Sequence, residues 1–162
     1  MDQRIVESLK RLGMKADRQE QSKQIVSSFS HNGFDYPVFI RELDGGNLLQ
    51  VLAFVPCTLQ KEAVQDTSRL LHMVNKELDM PGFCCDEESN TVFYRVVIPF
   101  TNKNFDEMLF CAYLNATQQI CGMFGTVIQA IAVNAMTLEE MLKEAHEGRA
   151  RKLKAQENVQ KQ

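Results

Sequence analysis

The residues whose types could do chemistry are three histidines, five cysteines and two acidic turn segments, and their spacing decides against each reaction in turn. Cys57, Cys84, Cys85, Cys111 and Cys121 form an odd set with no C-x-x-C pair and no histidine at ligand spacing, which argues against a disulfide framework and a structural zinc site. The vicinal pair Cys84-Cys85 falls in a strand-like run, where successive side chains point to opposite faces, so it suits packing better than metal capture or redox exchange. His31 is expected in a turn, His72 on the polar side of a helix and His146 in a charged tail, too scattered for a shared site. Asp86, Glu87 and Glu88 are consecutive and project in different directions, unlike a spaced acid and base. Asp44-Gly45-Gly46-Asn47 lacks the Lys-Ser/Thr that follows the glycines of a phosphate loop, and it leads into a strand. No catalytic residue, metal ligand set or cofactor is therefore expected, and the chain reads as a non-enzyme.

The elements that must position side chains are legible from periodicity. Ile5, Val6, Leu9 and Leu12 recur at helical spacing ahead of Gly13, which predicts a short amphipathic helix. After the polar stretch from Lys15 to Lys23, three strand-like runs follow at about 24–31, 34–43 and 48–55. Asn32-Gly33 and Asp44-Gly45-Gly46-Asn47 separate them, and both tolerate the positive φ of tight turns, so two successive hairpins are expected. Pro56 ends the sheet run, and Ala63, Thr67, Leu70, Leu71, Val74 and Leu78 trace one face of a helix over about 59–78, stopped by Pro81-Gly82.

A third hairpin, with Glu87 to Asn90 as its turn and Pro99 near its end, precedes an apolar stretch from Phe105 to Val133. That stretch is apolar on nearly every face and is expected to be a helix buried all round. Gly122 and Gly125 predict either a break in it or a close helix-to-backbone approach. Thr137 and Glu140 form a capping box for a last helix through about Lys154.

Strand alternation divides the side chains into two unlike sets. Tyr36, Val38 and Ile40, Leu49, Val51, Ala53 and Val55, and Val92, Tyr94, Val96 and Ile98 lack charge and form the natural core face. The opposite face mixes Phe39, Arg41, Gln50, Leu52, Phe93, Arg95 and Val97. Such a face serves either as an ordinary one, sheltered under the tail helix or simply the half-exposed side of a sheet, or as a partner surface. Aromatic rings interleaved with guanidinium groups are what protein interfaces favour. Phe39, Arg41, Leu52, Phe93, Arg95 and Val97 are the candidate partner-binding residues.

Composition bounds the remaining choices. A chain of 162 residues with 44% hydrophobic content can bury the core of one compact unit, and only the tail after Met136 is separable. Residues 1–136 are assigned to an α+β domain and residues 137–162 to a charged C-terminal helix and tail. The net charge of -3 argues against general nucleic-acid binding, although six bases face three acids from Lys143 to Gln162. A solvated helix with pairs such as Glu147 to Arg151 explains that local excess, and docking on an acidic partner, a membrane or nucleic acid is the alternative. The run from Ile120 to Val133 is shorter than the roughly 18 to 20 residues that span a bilayer. No secretory signal is evident at the first residues, and the cysteine usage fits the reduced cytoplasm.

The helix before Leu78, the phrase Asn75-Lys-Glu-Leu-Asp-Met-Pro-Gly-Phe, the strand Asn90-Thr-Val-Phe-Tyr-Arg and the long helix after it resemble the YbjN-like family over about residues 2–133. That family is similar in fold to the type III secretion chaperones, whose first class holds an extended client segment on apolar patches. The resemblance implies a twisted antiparallel sheet flanked by helices, frequent homodimerisation and no enzyme activity, and it assigns no individual functional residue.

The expected fold is therefore α+β, a twisted antiparallel sheet of about five strands in the order α-β-β-β-α-β-β-α-α. The expected function is a cytoplasmic, homodimeric, non-enzymatic module that binds a protein client in the manner of a secretion chaperone, with neither nucleic acid nor a membrane span. The alternative is a structural or assembly protein docking an acidic partner through its basic C-terminal helix.

Overall fold

The computed structural model describes residues 2–79, 82–100, 102 and 104–159, the side chains of residues 150 and 152–159 excepted. In chain order the elements are α1 (Asp2–Arg11), β1 (Ala16–Gln19), β2 (Gln24–His31), β3 (Phe34–Leu43), β4 (Leu48–Phe54), α2 (Val64–Glu77), β5 (Phe83–Asp86), β6 (Thr91–Pro99), α3 (Glu107–Ala132) and α4 (Leu138–Val159). The strands build one open antiparallel sheet in the order β1-β2-β3-β4-β6-β5.

The sheet thus has six strands rather than about five, because the polar stretch after α1 supplies an edge strand. Only Ala16 of β1 is buried, so the strand carries almost no hydrophobic signal. It is held by pairing with β2 and by the Arg18 to Asp2 ion pair at 2.8 Å. Asn32 (φ 50) and Gly33 (φ 81) make the two-residue turn between β2 and β3, and His31 is the last paired residue of β2 rather than part of that turn. The Asp44–Gly46 connection is a tight 3-10 turn with left-handed φ at all three residues, and β4 follows it as expected.

The core lies between one face of this sheet and a layer made by α1, α2 and α3. Tyr36, Val38 and Ile40 of β3, Leu49, Val51 and Ala53 of β4, and Val92, Tyr94, Val96 and Ile98 of β6 are all at most 1% exposed. Facing them are Ile5 and Leu9 of α1, Leu70 and Leu71 of α2, and Phe110, Leu114, Cys121 and Ile128 of α3. Burial of each large side chain contributes about 1.5 to 3 kcal/mol, which is what fixes the sheet alternation.

The second helix starts as a 3-10 turn at Lys61–Ala63, and its chain is already extended at Leu78. Pro81, expected with Gly82 to stop it, lies outside the described residues. Asn75 near its end reaches the outer edge of β5 and bonds both backbone groups of Phe83.

For the long helix one pair of alternatives is decided and one expectation is corrected. It runs unbroken for 26 residues through Gly122 and Gly125, whose missing side chains make room for neighbours instead. The His31 imidazole lies against Gly122, 2.7 Å from where a Cβ would be, and the Tyr36 hydroxyl fills the same place at Gly125. Nor is the helix covered all round among the described residues. Met108 and Met123 are 84% and 70% exposed, on a face with Ala112, Asn115, Gln119 and Thr126. A single helix layer covers one side of α3, and apolar composition alone does not say which side that is.

The last helix opens with the expected capping box. The Thr137 N–H and hydroxyl both donate to Glu140 Oε2 at 2.9 Å, and the Glu140 N–H donates to Thr137 Oγ1 at 3.2 Å. Leu138 is 1% exposed and its N–H donates to Asp66 Oδ2 at 2.9 Å, which seats the start of α4 on α2.

Candidate partner-binding face

The face of the sheet turned away from the helices is built by cross-strand register. One row carries Val26, Phe39, Leu52 and Arg95; on one side of it lie Gln50 and Val97 with Arg41, and on the other Phe54, Phe93 and Cys84. All six residues expected from alternation, Phe39, Arg41, Leu52, Phe93, Arg95 and Val97, are therefore brought together on one surface. Antiparallel neighbours stand about 5 Å apart, so these side chains touch across strands.

At the middle of this surface three rings form a continuous cluster. Phe39 meets Phe54 edge-on with centroids 5.4 Å apart, and Phe54 meets Phe93 at 5.5 Å. Phe54 joins the other two, yet alternation in one strand does not single it out. Its role follows only once the register pairs it with Phe93 and sets it diagonal to Phe39. Phe39, Leu52, Phe54, Phe93, Val26 and Val97 are half-buried, each sheltered by its neighbours rather than by a helix. The helix α4 packs against α2.

The charged groups flank the rings. The Arg41 Nε–H donates to Gln50 Oε1 at 2.8 Å, and Gln50 is itself 7% exposed. This bond ties the exposed guanidinium of Arg41 to the neighbouring strand. Arg95 is exposed beside Leu52. Among the described residues neither guanidinium has a carboxylate within 4.0 Å. An apolar strip flanked by two free planar cations suits an extended segment carrying apolar side chains and carboxylates.

The groups considered for chemistry are dispersed. Cys84 lies on the open face and Cys85 on the helix face, where its Sγ is 3.4 Å from Ser68 Oγ. Burial pushes the Cys57 thiol up to about 11 and the Cys121 thiol up to about 12, so both are held protonated at neutral pH. Tyr94 is likewise pushed up to about 12 by burial. Asp86 is half-exposed and its carboxyl is held below the usual range by the Ser89 hydroxyl and the Glu88 N–H, the pattern of a polar turn. Among the described residues no group of three or more His, Cys, Asp or Glu is placed to hold a metal ion, and no helix is long and apolar enough to cross a membrane. In the tail, Arg151 pairs with Glu147 at 3.6 Å, whereas Lys161 and the side chains of Lys152 and Lys154 lie outside the described residues.

A family model described as "YbjN: Putative bacterial sensory transduction regulator" matches residues 2–130. A solved structure, "Crystal structure of YbjN, a putative transcription regulator from E. coli", is similar with a TM-score of 0.58 at 14% identity, covering 83% of this chain and 93% of that one. At that identity the likeness concerns the fold. No protein with a curated description matches the sequence.

Proposed function

The chain belongs to the YbjN family, and from that premise we propose that it is a regulatory, non-enzymatic protein-binding module that holds an extended segment of a protein partner on the open face of its sheet. The observation that carries this reading is the half-buried Phe39–Phe54–Phe93 cluster flanked by the guanidinium groups of Arg41 and Arg95, neither of which has a carboxylate within 4.0 Å among the described residues. Contiguous apolar surface of this kind, with aromatic and arginine side chains together, is the composition of binding surfaces. The mode resembles that of type III secretion chaperones, which hold extended client segments.

On this reading a protein, not nucleic acid, is the partner, in keeping with the net charge of -3. Five free thiols support a cytoplasmic setting. The exposed, uncharged face of α3 around Met108 and Met123 supports homodimerisation. Capture of partners from the native host by the wild-type chain and by the Phe39→Asp/Phe93→Asp variant tests the proposal. Loss of captured proteins by the folded variant is expected, and an unchanged set overturns the assignment of this face.

A further inference from the structure

The helices present two kinds of outer surface. Those of α1, α2 and α4 are charged, with Arg4 and Lys10, Arg69 and Lys76, and Lys143 and Glu144 exposed on them in turn. The outer surface of α3 beyond Glu107 is not, because no charged residue stands from Met108 to Leu138. The exposed positions of α3 from Met108 onward are Met108, Ala112, Asn115, Gln119, Met123 and Thr126. Their steps of four, three, four, four and three residues average the 3.6 of an α-helix, so they form a straight strip about 27 Å long. Half-buried Leu109, Ala116 and Val127 border it on one side, and Cys111 and Gly122 on the other. Apolar surface with no charge beside it marks a site of interaction.

The order of residues along the strip says what fits it. A two-fold contact is self-complementary, because one axis decides which residue each position meets. In an antiparallel pair of α3 helices whose axis passes level with residue 117, Met108 meets Thr126 of the second copy, Ala112 meets Met123 and Asn115 meets Gln119. Each methionine thus faces a smaller side chain, and the two helices interdigitate. The two carboxamides face each other, so each has a hydrogen-bonding partner when water is excluded. A parallel pair offers no such fit. Met108 then meets Met108 and Ala112 meets Ala112, which crowds one level of the strip and leaves the next underfilled. The antiparallel sense also sets each helix N-terminus beside the other's C-terminus, the favourable order for helix dipoles.

We propose that two copies of this chain associate through this strip, α3 against α3, antiparallel about a two-fold axis level with residue 117. The proposal rests on the homodimerisation read above and adds its surface and register; it does not depend on what the open sheet face binds. The helix α3 covers the core face of the sheet and turns the strip away from it. Pairing therefore sets two helix layers back to back, with both open faces on the outside of the dimer. Each Phe39–Phe54–Phe93 cluster stays free for a segment of its own. A contact made without ion pairs is also indifferent to salt, unlike one made through the charged surface of α4.

The test is sedimentation velocity of the full chain over a dilution series at low and high salt. A reversible dimer whose dissociation constant salt leaves unchanged is expected. Met108→Glu/Met123→Glu, checked for folding by circular dichroism, should weaken it by about tenfold or more, since each copy would bury carboxylates without a partner. Register is read by exchanging sizes: Ala112→Met alone opposes two methionines and weakens association, and Ala112→Met/Met123→Ala restores it. Disulfide trapping reads it independently. A mixture of Met108→Cys and Thr126→Cys chains should give covalent dimer above the wild-type background, and neither variant alone should. A wild-type chain that is monomeric at every concentration overturns homodimerisation and this inference with it. A dimer indifferent to the double Glu variant, or dissociated by salt, leaves homodimerisation standing and overturns the α3 surface. Failure of the size exchange to restore association, or trapping of Met108→Cys with itself, overturns the antiparallel register.

Discussion

The Asn75 carboxamide meets the Phe83 peptide group as a neighbouring strand would, donating from Nδ2 to the Phe83 carbonyl at 2.8 Å and accepting the Phe83 N–H at Oδ1 at 2.7 Å. A side chain at the end of α2 thereby closes the edge of β5 and ties helix to sheet. Gly82 stands beside it because a Cβ there would overlap the Asn75 side chain. Asn75→Ala leaves two partly buried backbone groups unpaired. A loss of about 2 to 3 kcal/mol is expected, since each unmet group costs about 1 to 3 kcal/mol less what water recovers. Urea unfolding checks it as a lower midpoint at unchanged slope.

Gly125 and Tyr36 form the second coupled pair. The hydroxyl of Tyr36 occupies the space a Cβ at residue 125 would need. Gly125→Ala is expected to destabilise by about 1 to 3 kcal/mol through overpacking, despite the better helix propensity of alanine. Tyr36→Phe removes the colliding oxygen, so the double variant should recover most of that loss relative to Tyr36→Phe alone. A double-mutant cycle reads the coupling directly, and additivity of the two changes would show that they do not share this space.

These two contacts mark where sequence reasoning stops. The core face was legible because alternation in β3, β4 and β6 is strict, and every residue assigned to it there is buried. Phe39 and Arg41 could be put on the opposite face for the same reason. Phe54 could not be recognised as the middle of the ring cluster, since that depends on register between strands, which local pattern does not carry. The edge strand β1 was missed because a strand with one buried residue, Ala16, and three exposed ones has no period to detect. Gly122 and Gly125 were ambiguous for a related reason: a glycine announces that something is close, and only the fold says that it is His31 or Tyr36. The exposed side of α3 was hidden by composition, because Met108 and Met123 read as core residues by type, whereas among the described residues nothing covers them.

The thiols should separate by burial. An ordinary cysteine is roughly one quarter thiolate at pH 8, whereas a thiol pushed up to about 11 is about one thousandth so. Cys121, pushed higher still and 0% exposed, should be alkylated only through unfolding. Cys84 and Cys85 are half-exposed and are expected to react first. Time-resolved iodoacetamide labelling of the native protein at pH 8, read by peptide mass spectrometry, should place Cys121 at least tenfold behind them. Early labelling of Cys121 in a protein that remains folded would contradict the packing of α3 on β6.

The start of α4 should weaken in acid. The Thr137 N–H and hydroxyl both donate to the Glu140 carboxylate and hold its pKa below the ordinary value. A depressed carboxylate stabilises the folded end fully above its unfolded pKa, about 4.3, and that contribution is lost as pH falls through the folded value. Hydrogen exchange at the amides of residues 138–141, corrected for the intrinsic pH dependence, should therefore report increased opening below about pH 4. Glu140→Gln keeps an acceptor but not the titration, so its opening should be higher at neutral pH and flat across the same range. Asp66 accepts the Leu138 N–H at 2.9 Å and faces the same first turn. An acid response that persists unchanged in Glu140→Gln would show that the capping box is not its source.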